Sequence, residues 1–117
     1  MAVAVLTTSG HDGASYDITG AQALTLAEAA EQFSRATGLP ASYHPETIEE
    51  ARASRMKFNP WDWELEAWIS TYLAIATGEM SVVSHTVETL TGHAPQSFAD
   101  YLRQHPESYQ HITATRP

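Results

Sequence analysis

Leu26, Ala29, Ala30 and Phe33 recur at the three- and four-residue spacing that places side chains on one face of a helix. Thr25 and Glu28 stand ahead of them with the spacing of a capping box, and Gly38 with Pro40 supplies the stop. On either side the pattern changes. Tyr16, Ile18 and Thr19, bounded by Gly13 and Gly20, alternate as a short strand does, and Ala41 to His44, held between prolines, favour a second. Strand, helix and strand joined by tight connections predict a right-handed crossover with two parallel strands.

Helical spacing dominates the remainder. Pro45 suits a first helical position, and Glu46, Glu49 and Glu50 place negative charge where the helix dipole favours it, in a helix that fades near Arg55. Asn59-Pro60 then opens the longest pattern, running from Trp61 to about Gly78. At roughly 100° per residue, Trp61, Leu65, Trp68, Tyr72 and Ile75 form a stripe expected to face the core, widened by Ile69 and Leu73. Trp63 falls almost opposite, beside Ala67, Ser70 and Ala74, so this helix has a second face to cover. Ser84 is placed to cap a short helix carrying Val87 and Leu90 and closed by Gly92. Ser97 and Asp100 start another, with Phe98, Tyr101 and Leu102 expected to point inward. The expected fold class is α+β and mostly helical: a small two-stranded parallel β-α-β unit followed by a helical bundle. One domain covers residues 1–105, and residues 106–117, which lack a clear period, form a tail expected to be partly disordered.

The opening is the least self-sufficient part. Ala2 to Leu6, ending in Thr-Thr-Ser-Gly, suits the last turns of a helix stopped by Gly10, so the chain reads as the middle of a larger α/β domain. A formal charge of -8 repels phosphate backbones and anionic membranes, which argues against nucleic-acid and membrane partners. No apolar run is long enough for a membrane span, Met1 precedes no signal-type segment, and the absence of cysteine suits a reducing compartment. A cytoplasmic protein is the expectation.

Gly10-His-Asp-Gly-Ala-Ser-Tyr-Asp-Ile-Thr-Gly20, Ala23-Leu-Thr-Leu-Ala-Glu-Ala-Ala30 and Ala36-Thr-Gly-Leu-Pro-Ala-Ser-Tyr43, followed by Trp68 to Gly78, Val82-Val83, Val87-Glu-Thr-Leu-Thr-Gly92 and Pro95-Gln-Ser-Phe98, carry a familiar wording. Together they resemble the C-terminal half of NmrA-like proteins, atypical relatives of the short-chain dehydrogenases/reductases that include NAD(P)H-dependent quinone reductases and redox-sensing regulators. The resemblance spans residues 2 to about 106. It implies a substrate-side wall and lid, here Met56 to Tyr72, without the family's glycine-rich cofactor turn or a Tyr-x-x-x-Lys pair; Lys57 is the single lysine. No bound cofactor is expected, because nothing in these residues offers the amide-lined turn that holds a pyrophosphate. Helices that would otherwise cover a sheet need another partner, which predicts a homodimer or higher homo-oligomer with the Trp61 to Ile75 helix near the interface.

Asn59-Pro-Trp-Asp-Trp-Glu-Leu-Glu-Ala-Trp68 interleaves three carboxylates with three tryptophans. A carboxylate half-desolvated against indole titrates closer to neutrality and suits acid/base work, which makes Asp62 and Glu64 catalytic candidates. Their commoner role is to complement a helix dipole. His44 and His85 sit beside helix starts that could line a cleft and complete the catalytic set, although capping or plain surface exposure is more usual. Ser84 adjoining His85 gives no triad geometry, and the six histidines lack metal-ligand spacing, so no metal is expected. Met56, Phe58, Trp61, Trp63, Trp68 and Tyr72 are the substrate-binding candidates, with a hydrophobic, aromatic small molecule as the expected partner.

Three functions follow. The chain is a stand-alone binding domain holding that ligand without NAD(P), a cofactor-independent cyclase, isomerase or hydrolase of secondary metabolism, or a fragment that completes a separate Rossmann subunit.

Overall fold

The structure, a computed structural model, describes residues 1–113. Its elements are α1 (Ala2–Thr7), α2 (Leu26–Thr37), α3 (Ile48–Met56), α4 (Asp62–Ala76), α5 (Thr86–Thr91) and α6 (Phe98–Gln104), then a 3-10 turn (Pro106–Ser108) and α7 (Gln110–Thr113). Of the tail expected over 106–117, residues 114–117 lie outside the described residues.

Local signals define the helix ends. Thr25 accepts from the Glu28 amide at 3.1 Å while the Glu28 carboxylate accepts from the Thr25 amide at 2.8 Å, and Gly38, at φ 73°, turns the chain out of α2 in the left-handed conformation. The same reciprocal box joins Thr47 and Glu50 ahead of α3, at 3.2 and 2.7 Å. This moves the start of α3 past Pro45, because a hydroxyl that takes an orphan amide outweighs a residue that merely tolerates the first turn. Asn59, at φ 51°, makes the reversal into α4, a conformation asparagine adopts more readily than most side chains. Ser97 caps α6 by accepting from the Asp100 amide at 3.1 Å. Ser84 does not cap α5. His85 occupies that position with no capping side-chain bond, and the Ser84 hydroxyl donates instead to the Asp17 carbonyl.

The expected β-α-β unit is absent: there is no strand among the described residues, and the fold there is helical. Residues 16–19 are held through side chains, the Ser84 amide donating to Thr19 Oγ1 at 2.9 Å beside the Ser84 to Asp17 bond. Within the described residues no backbone-to-backbone bond joins residues 15–24 to a neighbouring segment. Ala41 is likewise used up locally, its amide donating to Ser34 Oγ at 2.8 Å and its carbonyl accepting from the same hydroxyl at 3.1 Å. Pro40 and Pro45 remove donors at both ends of that stretch. Alternating side chains describe an extended chain, but a strand also needs a backbone beside it.

Packing is pairwise: α2 lies on α6, α3 on α4, and α1 against α5. The α2–α6 pair buries Leu102 to 4% exposure and is extended by an edge-to-face contact between Phe33 and Tyr109, 5.9 Å between ring centres. Leu65 and Ile69 of α4 are the other enclosed apolar side chains among the described residues. Most of the predicted stripe is open: Trp61 is 73% exposed, Trp68, Tyr72 and Leu73 lie at the surface, and Ile75 is half-buried. Phe98 and Tyr101, expected to point inward, are 37% and 43% exposed. With the pairs spread over 50 × 35 × 23 Å, the radius of gyration is 17.7 Å, against about 13 Å for a compact chain of this length.

Two outcomes follow from this arrangement. Leu102→Ala lowers stability in thermal melts by about 2–5 kcal/mol, whereas Leu6→Ala, at an 83% exposed site, changes it by less than about 0.5 kcal/mol. The Thr25 and Thr47 amides hold the Glu28 and Glu50 carboxyls below their ordinary value of 4.5. Folded groups with lowered values contribute fully above 4.5 and lose that contribution as pH falls through them. Helix content measured by circular dichroism therefore declines on acidification below that point, and the decline is shallower in a Glu28→Gln/Glu50→Gln variant.

Candidate functional site

Between α3 and α4 lies a cleft of about 290 Å³, walled by Ile69, Leu73 and Ile75 on one side and rimmed by Tyr43, His44 and Glu46. Its volume is at the small end of the range for ligand pockets. Capping by Thr47 brings the exposed turn 43–46 to the mouth, and the turn at Asn59 folds α4 back along α3.

Arg55 organises this cleft. Its side chain is 14% exposed, and the guanidinium lies 5.4 Å from the Trp68 ring centre and 5.1 Å from that of Tyr72, within range of cation–π attraction. Nη1 donates to Glu46 Oε2, the Ala51 carbonyl and Ser54 Oγ, at 2.9, 2.9 and 3.1 Å. The hydrogen bond from Arg55 holds the Glu46 carboxyl below its ordinary value, keeping this rim acid charged at neutral pH. A second pair, Arg52 with Glu66, clasps the same two helices from the surface. Nothing in the helical spacing of α3 singled out Arg55; its signal was only that an arginine at the penultimate position of α3 precedes an aromatic-rich helix.

Of the catalytic candidates, His44 reaches the cleft rim. Glu64 does not line it: its Oε2 accepts from the Trp61 amide at 2.8 Å, fastening the start of α4. Asp62 is the exposed first residue of α4, and His85 stands exposed at the start of α5, both outside the cleft lining. The six aromatic and methionine candidates divide similarly. Tyr72 lines the cleft, and Trp68 covers Arg55 beside it while meeting Phe58 with ring centres 5.8 Å apart. Met56, Trp61 and Trp63 stay exposed outside the cleft lining, Trp63 being 69% exposed. A larger apolar hollow of about 470 Å³, lined by Leu24, Ala29 and Met80, shares Leu26, Ile75 and Ala76 with the cleft. Among the described residues no three His, Asp or Glu side chains converge as metal ligands, and no helix is long and apolar enough to cross a membrane.

Two curated proteins are similar to this chain. The (4-alkanoyl-5-oxo-2,5-dihydrofuran-3-yl)methyl phosphate reductase of Streptomyces griseus subsp. griseus is 33% identical over 109 residues, which are 93% of this chain and 38% of that protein. The NAD(P)H azoreductase of Xenophilus azovorans is 30% identical over the same length, with the same two shares. No protein-family model matches the chain, and no solved structure matches it. The chain thus spans little more than a third of the length of the curated relatives it matches, and over that span its sequence is reductase-like.

Proposed function

We propose that this chain is the substrate-side portion of an NmrA-like reductase, in which the α3–α4 cleft and the aromatic wall beside it receive a hydrophobic small molecule, while a sheet-bearing portion holds the dinucleotide and covers the open helix faces. The observation that carries this reading is the mismatch between apolar surface and enclosed volume. Among the described residues only Leu65, Ile69 and Leu102 are enclosed as apolar core, while Phe58, Trp61, Trp63, Met80 and Val82 lie open. Exposed apolar side chains on that scale mark a surface that meets something else. Residues 15–24, outside any helix and without a backbone partner among the described residues, are suited to pairing with a sheet edge of such a portion. The reductase names of both relatives, and the 38% of their length that the chain matches, support the same division of labour.

A second reading rests on the same open faces: a homodimeric pocket protein that binds its ligand without a cofactor. The two differ in what covers the wall. A stable dimer, measured by sedimentation, that leaves no surface for a hydrophobic dye favours the second. Acid/base chemistry at Glu64 has less support, since its carboxylate already serves the Trp61 amide.

The deciding experiment replaces the matched segment of the azoreductase with this chain and follows NADPH oxidation with a quinone acceptor. The chain alone is expected to give no saturable NADPH binding by fluorescence, whereas the joined protein binds NADPH and reduces the acceptor. Stoichiometric NADPH binding by the chain alone, or a folded, NADPH-binding chimera no more active than the azoreductase portion without its segment, overturns the proposal.

A further inference from the structure

We infer that the α3–α4 cleft selects an amphipathic anion, its apolar body against Ile69, Leu73 and Ile75 and its carboxylate, sulfonate or phosphate on the unpaired Nε–Nη2 edge of Arg55. This deepens the reading above and rests on it for the cleft being a ligand site. Arg55 has unspent donors. Among the described residues, all the hydrogen bonds of its guanidinium leave from Nη1, to Glu46, Ala51 and Ser54. Nε is shut from solvent with no partner there, and Nη2 makes no hydrogen bond to a described residue. Nε and Nη2 form one edge of the planar group, the edge that matches two oxygens of an oxyanion. A buried donor without an acceptor is costly, so an acceptor arriving there is favoured.

The surroundings fit the same occupant. Trp68 and Tyr72 hold the guanidinium from its faces, which fixes the plane of the fork and leaves its edges for hydrogen bonding. Both rings lie at the surface, 38% and 41% exposed, and seating an oxygen on Nε requires a local side-chain rearrangement, because that atom is closed to solvent. Glu46 is the opposing charge: it occupies Nη1, partly neutralises the cation and sets a ceiling on anion affinity. In a chain with 6 Lys plus Arg against 14 Asp plus Glu, a largely enclosed arginine facing an apolar cleft is the local exception to an acidic surface.

The test uses the full chain and two probes of one shape, 2-naphthoate and its neutral counterpart 2-naphthamide, titrated by NMR. Naphthoate is expected to bind about tenfold tighter, to move the Ile69, Leu73 and Ile75 methyl resonances, and to shift the Arg55 Nε–H signal. Arg55→Gln removes the preference while naphthamide affinity holds. Glu46→Gln, which lifts the competing charge, tightens naphthoate several-fold and leaves naphthamide unchanged. Opposite responses to the two substitutions separate recognition from misfolding. Equal affinity for both probes, or a preference that survives Arg55→Gln, overturns the anion inference while leaving the cleft as a ligand site. Failure of both probes to move the cleft methyls overturns both the inference and the reading beneath it.

Discussion

Enclosed apolar volume is the scarce quantity in this molecule, and every other feature follows from how little of it there is. Burial is non-directional and proportional to the area removed from water, so a chain folded into helix pairs that scarcely meet collects it only along narrow seams. Leu102 marks one seam and Leu65 with Ile69 the other. What holds the individual helices in register is short-range polar chemistry: reciprocal boxes at Thr25 with Glu28 and Thr47 with Glu50, the Glu64 to Trp61 clasp, and left-handed exits at Gly38 and Gly92. Such devices set where helices begin and stop. They do not bring helices together, and the 17.7 Å radius of gyration is the consequence.

The α3–α4 pair shows how polar groups substitute for a core. Arg55 reaches across the seam, packing its guanidinium on Trp68 and Tyr72 while answering Glu46, and Arg52 meets Glu66 outside it. An arginine used this way leaves donors in hand, because a planar group with five N–H bonds is hard to satisfy from one side. The cleft is therefore chemically asymmetric, apolar along α4 and charged at its rim. That asymmetry distinguishes it from the larger hollow behind Leu26 and Ile75, whose lining is almost wholly apolar.

The helices were legible in the sequence wherever their limits rest on neighbours three or four residues apart. Thr25 with Glu28, Ser97 with Asp100, and the glycines at 38 and 92 act within that reach. Reading failed where two local options competed. Pro45 and Thr47 could both begin α3, and the hydrogen bond of Thr47 decided it; Ser84 could cap α5, and the distant carbonyl of Asp17 drew its hydroxyl away. Among site residues, His44, Tyr72 and Trp68 come together around the cleft, while Asp62, Glu64, His85, Met56, Trp61 and Trp63 sit elsewhere. Helical phase placed Trp61 and Leu65 on one stripe, but phase does not say whether anything lies opposite.

The sequence by itself determined where helices lie, the caps at Thr25, Ser97, Gly38 and Gly92, the acidic character and the reductase-like wording, since each depends on residue type and short spacing alone. Tertiary structure decided the rest. Whether Tyr16 to Thr19 becomes a strand depends on a backbone beside it, and here Ser84 meets it through side-chain bonds instead. Whether an aromatic stripe is core or surface depends on what packs against it, and α3 covers only Leu65 and Ile69 fully. Whether an arginine is spent or available depends on partners at 46, 51 and 54, close in sequence, and on the rings of 68 and 72, which reach it only once α3 has folded onto α4.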